Sequence, residues 1–199
     1  MTPDVPSAEL HGKSYSAPSA LVGDLKRSFR LAGGGRLRKT FECLRAPGVH
    51  AVVVFRFGHW TLGQPKWTRV VLDPLYMVAN ALIQILWGIE ISRHAHIGPG
   101  LGIGHFGGIT VSADAVIGKD CCLSQNTTIG QEGEGTPVIG DDVYIAPGAR
   151  LFGRIRIGNN VKIGANAVIH KDIPDNAIVA MAPGFQILSY AGNRRRGSA

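Results

Sequence analysis

The chain has 199 residues, 45% of them hydrophobic, and carries 21 Lys or Arg against 14 Asp or Glu for a formal charge of +7. That apolar content supports a packed core and excludes wholesale disorder, and the length suits one domain, or a large domain with a small one. The charge is uneven: residues 1–70 hold +7, residues 71–193 hold −3, and Arg194-Arg195-Arg196 adds +3. The basic residues are not interleaved with aromatics and form no recognition motif, so a nucleic-acid partner is set aside.

Residues 1–22, rich in Pro, Ser and Ala, are expected to be loose, and no basic segment there leads into an apolar run as a secretory leader would. Residues 23–90 read as a helical region. Asp24 suits the cap of a helix to Leu31, which Gly33-Gly34-Gly35 ends. That triplet lacks the Lys-Ser/Thr of a phosphate loop. Arg36 to Phe57 reads as one or two helices broken near Pro47-Gly48, although the β-branched run Val52-Val53-Val54 argues against helix. Pro74 fits the first turn of a helix to about Trp87, with Gly88 as its C-cap.

That last helix would carry Leu75, Val78, Leu82, Ile83, Leu86 and Ile89 on one broad apolar face. Asp73, Pro74, Asn80 and Gln84 interrupt the stretch, so a membrane span is not expected. The face has two candidate uses. It can shield the open end of a solenoid, or lie on an anionic membrane beside the basic 26–45 segment.

From Ile91 a six-residue repeat takes over. Ile91, Ile97, Ile103 and Ile109 start its first block, Ile117, Leu123 and Ile129 the second, and Ile139, Ile145, Leu151, Ile157, Ile163 and Ile169 the third. Two extra residues separate the first two blocks and four the next two. A period of six fits neither a helix nor a plain amphipathic strand. It fits short strands meeting at corners, each face of a prism turning one large aliphatic inward, with Gly, Asn and Asp at the corners. Three hexapeptides make a turn of about eighteen residues, stacked at about 4.8 Å. The β-helical domain is expected over 91–188, followed by a basic tail, 189–199. The thiols Cys43, Cys121 and Cys122 form no CxxC pair and read as reduced thiols of a cytoplasmic protein, Cys121 pointing inward.

These residues resemble the hexapeptide-repeat acyltransferases, whose fold is a left-handed parallel β-helix. The run Glu90-Ile91 to Gly104-His105, then Ile117-Gly118 and Ser124-Gln125-Asn126-Thr127-Thr128-Ile129-Gly130, is similar to the serine acetyltransferase branch. The resemblance covers about residues 88 to 188 and implies acetyl-CoA as co-substrate. It also implies a homotrimer with three sites at its interfaces, His105 as general base, and Glu90, in place of the family's Asp, as the residue orienting its ring. A base of near-neutral pKa must take the acceptor's hydroxyl proton as it attacks the thioester, and a carboxylate on the far ring nitrogen fixes the tautomer. The alternative for His105 is a corner histidine bonded to a carbonyl, in a β-helix that serves only as a scaffold. His94 and His96 with His105 do not make a convergent tetrahedral set, so no metal is expected.

Pro147-Gly148 and Gly164-Ala165 lie about one turn apart, so one should stack on the other. By the resemblance they line the groove for the coenzyme's pantetheine arm. His170-Lys171-Asp172 is similar to the Thr-Lys-Asp of sugar acetyltransferases, which places His170 and Lys171 near a coenzyme phosphate. Where relatives have Gly-Val-Pro-Ala-Arg, this chain has Met181-Ala182-Pro183-Gly184-Phe185, leaving Arg194 to Arg196 as substitutes for the phosphate-binding arginine. The acceptor side is expected to hold Gly104, Gln125, Glu132 and Glu134. Serine acetyltransferases have an Asp before the catalytic His and an Arg-His pair in the following loop. Here Gly104 and Gly135-Thr136 stand there. An unpaired buried carboxylate costs several kcal/mol. The expected acceptor is therefore a sugar hydroxyl of a glycan or exopolysaccharide precursor, with serine as the alternative. The protein is placed in the cytoplasm, peripheral at the inner face of a membrane if the N-terminal helix binds lipid.

Overall fold

A computed structural model describes residues 17–133 and 135–181. Among the described residues four helices come first: α1 (Ala17–Leu31), α2 (Arg36–Arg45), α3 (Pro47–Leu62) and α4 (Lys66–Trp87). The expected loose segment therefore ends sooner: residues 17–22 belong to α1, and Asp24 sits inside that helix, buried, instead of capping it. The rest of 1–22, like the tail 189–199, lies outside the described residues.

Pro47 occupies the first turn of α3, where its missing N–H costs nothing. The Val52-Val53-Val54 run is helical because burial overrides its weak propensity. Ala51, Val52 and Phe55 join the β-helix core and plug its end. Helix α4, the one the sequence pointed to, shares in the plug through buried Ile83 and part-buried Trp87, and α3 joins it there. Helix α4 begins at Lys66, eight residues before Pro74, so the proline lies inside it. Tyr76 is packed against Gly58 so tightly that a Cβ there would strike its ring. Asp73 takes Arg93 at 2.7 Å, and that hydrogen bond holds its carboxyl below the ordinary carboxylate value. These contacts keep α4 helical through a residue that would otherwise cost about 3 kcal/mol. Gly88 ends it in the left-handed region, φ 61°.

Fourteen short strands follow among the described residues, all paired in parallel. They form three sheets: β1 (Ile89–Ile91), β4 (Ile109–Val111), β7 (Thr128–Gly130), β10 (Arg150–Phe152) and β13 (Val168–Ile169); β2 (His96–Ile97), β5 (Val116–Ile117), β8 (Val138–Ile139) and β11 (Arg156–Ile157); and β3 (Gly102–Ile103), β6 (Cys122–Leu123), β9 (Tyr144–Ile145), β12 (Lys162–Ile163) and β14 (Ile178–Val179). Each of the first four coils contributes one strand to each sheet, and the last contributes β13 and β14 with a single bridge from Ile173 to Ile157 between them. Ile117, Leu123, Ile129, Ile139, Ile145, Leu151, Ile157 and Ile163 are all fully buried on its axis. The β-helix starts at Ile89, two residues before the expected boundary.

The register corrects the repeat at one place. Ile91 pairs with Val111, and Ile109 pairs with Ile89, so Val111 and not Ile109 holds the repeat position. The two extra residues of that block therefore fall between Ile103 and Val111. They enlarge the corner that carries His105.

Corners are held by residues with positive φ, among them Gly108 (64°), Asn126 (59°), Gly148 (75°) and Asn166 (58°), which occupy one edge in successive coils. A Cβ at Gly108 or Gly148 would strike the side chain of the Asn in the next coil. Asparagine is among the few non-glycine residues that visit this conformation readily.

Helices and β-helix are joined by a buried ion pair. Arg56 donates to Asp24 at 2.8 Å and to the Ile97 and Gly98 carbonyls at 2.6 Å each. Asp24 also accepts the Gly100 and Leu101 N–H groups at 2.8 Å.

Candidate active site

The edge between the third and first sheets carries residues 104–108, 124–127, 146–149 and 164–167. Backbone bonds stack these corners: Asn126 N–H to the Gly107 carbonyl at 2.7 Å, Gly148 N–H to Gln125 at 3.0 Å, and Asn166 N–H to Pro147 at 2.9 Å. His105, Gln125, Pro147-Gly148 and Gly164-Ala165 thus climb one edge, roughly 14 Å over three coil spacings. The small residues leave backbone N–H and carbonyl groups approachable along it. This is the stacking expected from the repeat.

His105 is exposed on the enlarged corner. Its neighbour Phe106 packs edge-on against Trp87 at 5.4 Å, which ties the corner to the end of α4. A Cβ at Gly104 would meet nothing within 4 Å, so the space before His105 is open. A hollow of about 250 Å³ reaches Gly104 from between Cys43, Ala46 and Val49 on one side and Gly102 and Cys122 on the other. A more voluminous hollow, about 730 Å³, lies at Pro99, Gly100 and Asp120 on another edge, away from His105.

Glu90 projects from the outer face of the first sheet, paired with Thr110 in the next coil. The His105 corner passes over the residue two before it: an added Cβ at Gly88 would lie 3.5 Å from the Gly107 Cα. Among the described residues no hydrogen bond or ion pair joins Glu90 to His105. Gln125 has its Oε1 buried with no hydrogen-bond partner among the described residues. A buried acceptor left open beside His105 suits a ligand donor.

Glu132 does not join this edge within the chain. It lies in the loop between the first and second sheets, bridging Gly135 through backbone bonds of 3.1 and 3.3 Å. Glu134 lies outside the described residues. His170 and Lys171 occupy the same edge as Glu132, and the Asp172 carboxylate caps the Arg156 N–H at 2.8 Å. One full face of the prism therefore separates Lys171 from Gly148 and Gly164. Of the phosphate substitutes, Arg194 to Arg196 lie outside the described residues.

Burial pushes the Cys121 thiol up to about 12 and raises that of Cys122 as well. Neither thiol is poised as an acyl acceptor. His96 stands edge-on to His59 at 6.2 Å. Among the described residues no three His, Cys, Asp or Glu side chains gather in a metal-binding group.

A family model described as bacterial transferase hexapeptide (six repeats) matches residues 136–171. The serine acetyltransferase of Staphylococcus aureus is 36% identical over 155 residues, 74% of this chain and 68% of that protein. The chain belongs to the serine acetyltransferase family. That of Mycobacterium tuberculosis is 37% identical over 142 residues, 69% of this chain. Among solved members, Neisseria gonorrhoeae serine acetyltransferase in complex with serine superposes with a TM-score of 0.69 at 27% identity, covering 88% of this chain and 71% of that one. Isoform 3 of Entamoeba histolytica, in complex with cysteine, gives 0.69 at 27% over 87% of this chain and 61% of that one. The fold is thus the family's left-handed parallel β-helix. The chain spans 56% of the Synechococcus elongatus relative and 59% of the mycobacterial one, a little over half the length of each.

Proposed function

We propose that the chain is an acetyl-CoA-dependent O-acetyltransferase whose acceptor is the hydroxyl of serine. The observation that carries the chemistry is His105, exposed at the top of a stacked edge of small residues. In this reading the imidazole takes the serine hydroxyl proton as the oxygen attacks the thioester carbonyl. The new C–O bond forms, the C–S bond breaks, and the imidazolium returns its proton to the departing thiolate. No acyl-enzyme forms, in keeping with the raised pKa of the two thiols in the β-helix. Gln125 would hold the acceptor or the thioester arm through its open Oε1.

Serine takes precedence over the sugar hydroxyl that the sequence suggested, because the curated relatives compared are serine acetyltransferases and one solved relative holds serine. The absent loop cation has a candidate replacement. A Cβ at Gly135 would strike Arg154, so the glycine lets that exposed arginine lie against the loop, where it could pair the carboxylate. A sugar hydroxyl keeps one observation in its favour, the open space beside Gly104. Incubation with acetyl-CoA and L-serine should release free thiol and O-acetylserine. Thiol release only with sugar acceptors would replace serine with a glycan hydroxyl.

The site residues fall on two edges of one prism, His105 and Gly148 on one, Glu132 and Lys171 on the next. Three copies around a threefold axis would set the second edge of each chain against the first edge of its neighbour. A homotrimer would therefore complete three sites. Light scattering should return about three times the 21.2 kDa chain mass, and a monomer of full activity would refute this assembly.

A further inference from the structure

The surface of α4 has no role in the proposed reaction. Its inward face carries Tyr76 and Ile83, both buried. On its outward face Trp67, Val70, Val71, Met77, Val78 and Ile85 are each 61–79% exposed. From Trp67 to Leu86 no exposed position is charged, and Gln84 is the single polar side chain there. A helix of this length runs roughly 33 Å, and soluble monomers rarely leave so continuous an apolar surface to water.

Helix α2 adds a second such surface. Leu37, Phe41 and Leu44 are exposed among Arg36, Arg38, Lys39 and Arg45. His50 of α3 links the two helices: its ring donates to the Leu44 carbonyl at 2.6 Å and stands 6.1 Å from Trp87.

We infer that α4 lies flat in the interface of an anionic bilayer, with α2 supplying basic contacts to the headgroups. By length and composition α4 would cross a membrane. Its inner face is bound to the β-helix, however, through Asp73 and Arg93 at 2.7 Å. Crossing would carry that ion pair into hydrocarbon, whereas lying in the interface leaves it in place. Charge decides against a second copy of this chain. Helices α1 and α2 hold seven basic residues, of which Arg27 and Arg30 face Asp120 and Arg38 pairs with Glu42, leaving Lys26, Arg36, Lys39 and Arg45 without an acidic partner among the described residues. Their two acids are engaged, Asp24 by Arg56 and Glu42 by Arg38. Self-pairing would bring like charges together, while anionic lipid complements them. The Trp87–Phe106 contact sets the catalytic corner beside the lipid surface.

Flotation of the full chain with vesicles tests this. With phosphatidylcholine containing about one-third phosphatidylglycerol, the chain should float at low salt, at least tenfold more than with phosphatidylcholine alone. Val71→Glu with Ile85→Glu, both at exposed positions, should abolish flotation without altering the melting temperature. Arg36→Gln and Lys39→Gln should each weaken it about fivefold. No flotation at low salt overturns the proposal. So does self-association that the double glutamate variant dissolves while vesicles bind nothing, since that assigns the face to a second copy.

Discussion

Arg56→Met is expected to destabilise the chain by about 3–5 kcal/mol, because it leaves the Asp24 carboxylate buried without its partner. Both side chains are at most 3% exposed. Asp24→Leu should cost a similar amount. The double variant should not recover the loss, as a simple buried pair often does. Arg56 and Asp24 also serve four backbone groups, the Ile97 and Gly98 carbonyls and the Gly100 and Leu101 N–H groups. Each buried group left open costs about 1–3 kcal/mol. Urea unfolding followed by tryptophan fluorescence gives the readout, since all three tryptophans lie in α3 and α4. A loss below about 1 kcal/mol in either single variant would show that the pair does not hold the helices to the β-helix.

His105→Ala is expected to lower kcat by roughly 10²–10⁴-fold while the fold and the KM for acetyl-CoA stay the same, because the side chain is exposed. A scaffold without catalysis would be indifferent to the change. Glu90→Gln should cost less than His105→Ala, because the amide keeps the shape of the side chain and loses only the charge that would orient the ring in the proposed reaction. A kcat equal to the parent's would remove Glu90 from the site and leave it as a residue of the sheet's outer face.

The prism was legible because its constraint is local and repeated. Each coil must place an aliphatic side chain inward on every face, and Ile or Leu does so at nearly every such position, with Val111 and Val179 at two others. The slip at Ile109 arose because that residue is aliphatic and also buried, so composition could not show where the two extra residues entered; only the pairing of Ile91 with Val111 does. His105 was singled out by the family resemblance, whereas the stacking of the Pro147-Gly148 and Gly164-Ala165 corners was readable from spacing. The separation of Lys171 and Glu132 from them was not, since it depends on which corner follows which sheet. The helical region was the least legible. Asp24 satisfies a capping pattern and instead answers Arg56, 32 residues away. Pro74 marks a helix start by local rules and is overridden by the packing of Tyr76 and the grip of Arg93 on Asp73.

The uneven coils have a further consequence. Strand partners lie 20 residues apart at Ile103 and Leu123, 22 at Leu123 and Ile145, 18 at Ile145 and Ile163, and 16 at Ile163 and Val179. Every inserted or deleted residue is absorbed at a corner, and the inward aliphatics stay aligned. Because each coil meets only its neighbours, its cohesion behaves as a one-dimensional chain of nearest-neighbour terms. Ordering can then spread coil by coil from the plugged end. Loop length at any edge is free to drift over evolutionary time without a toll on the interior, which makes the corners the part of this architecture where new acceptor chemistry is cheapest to try.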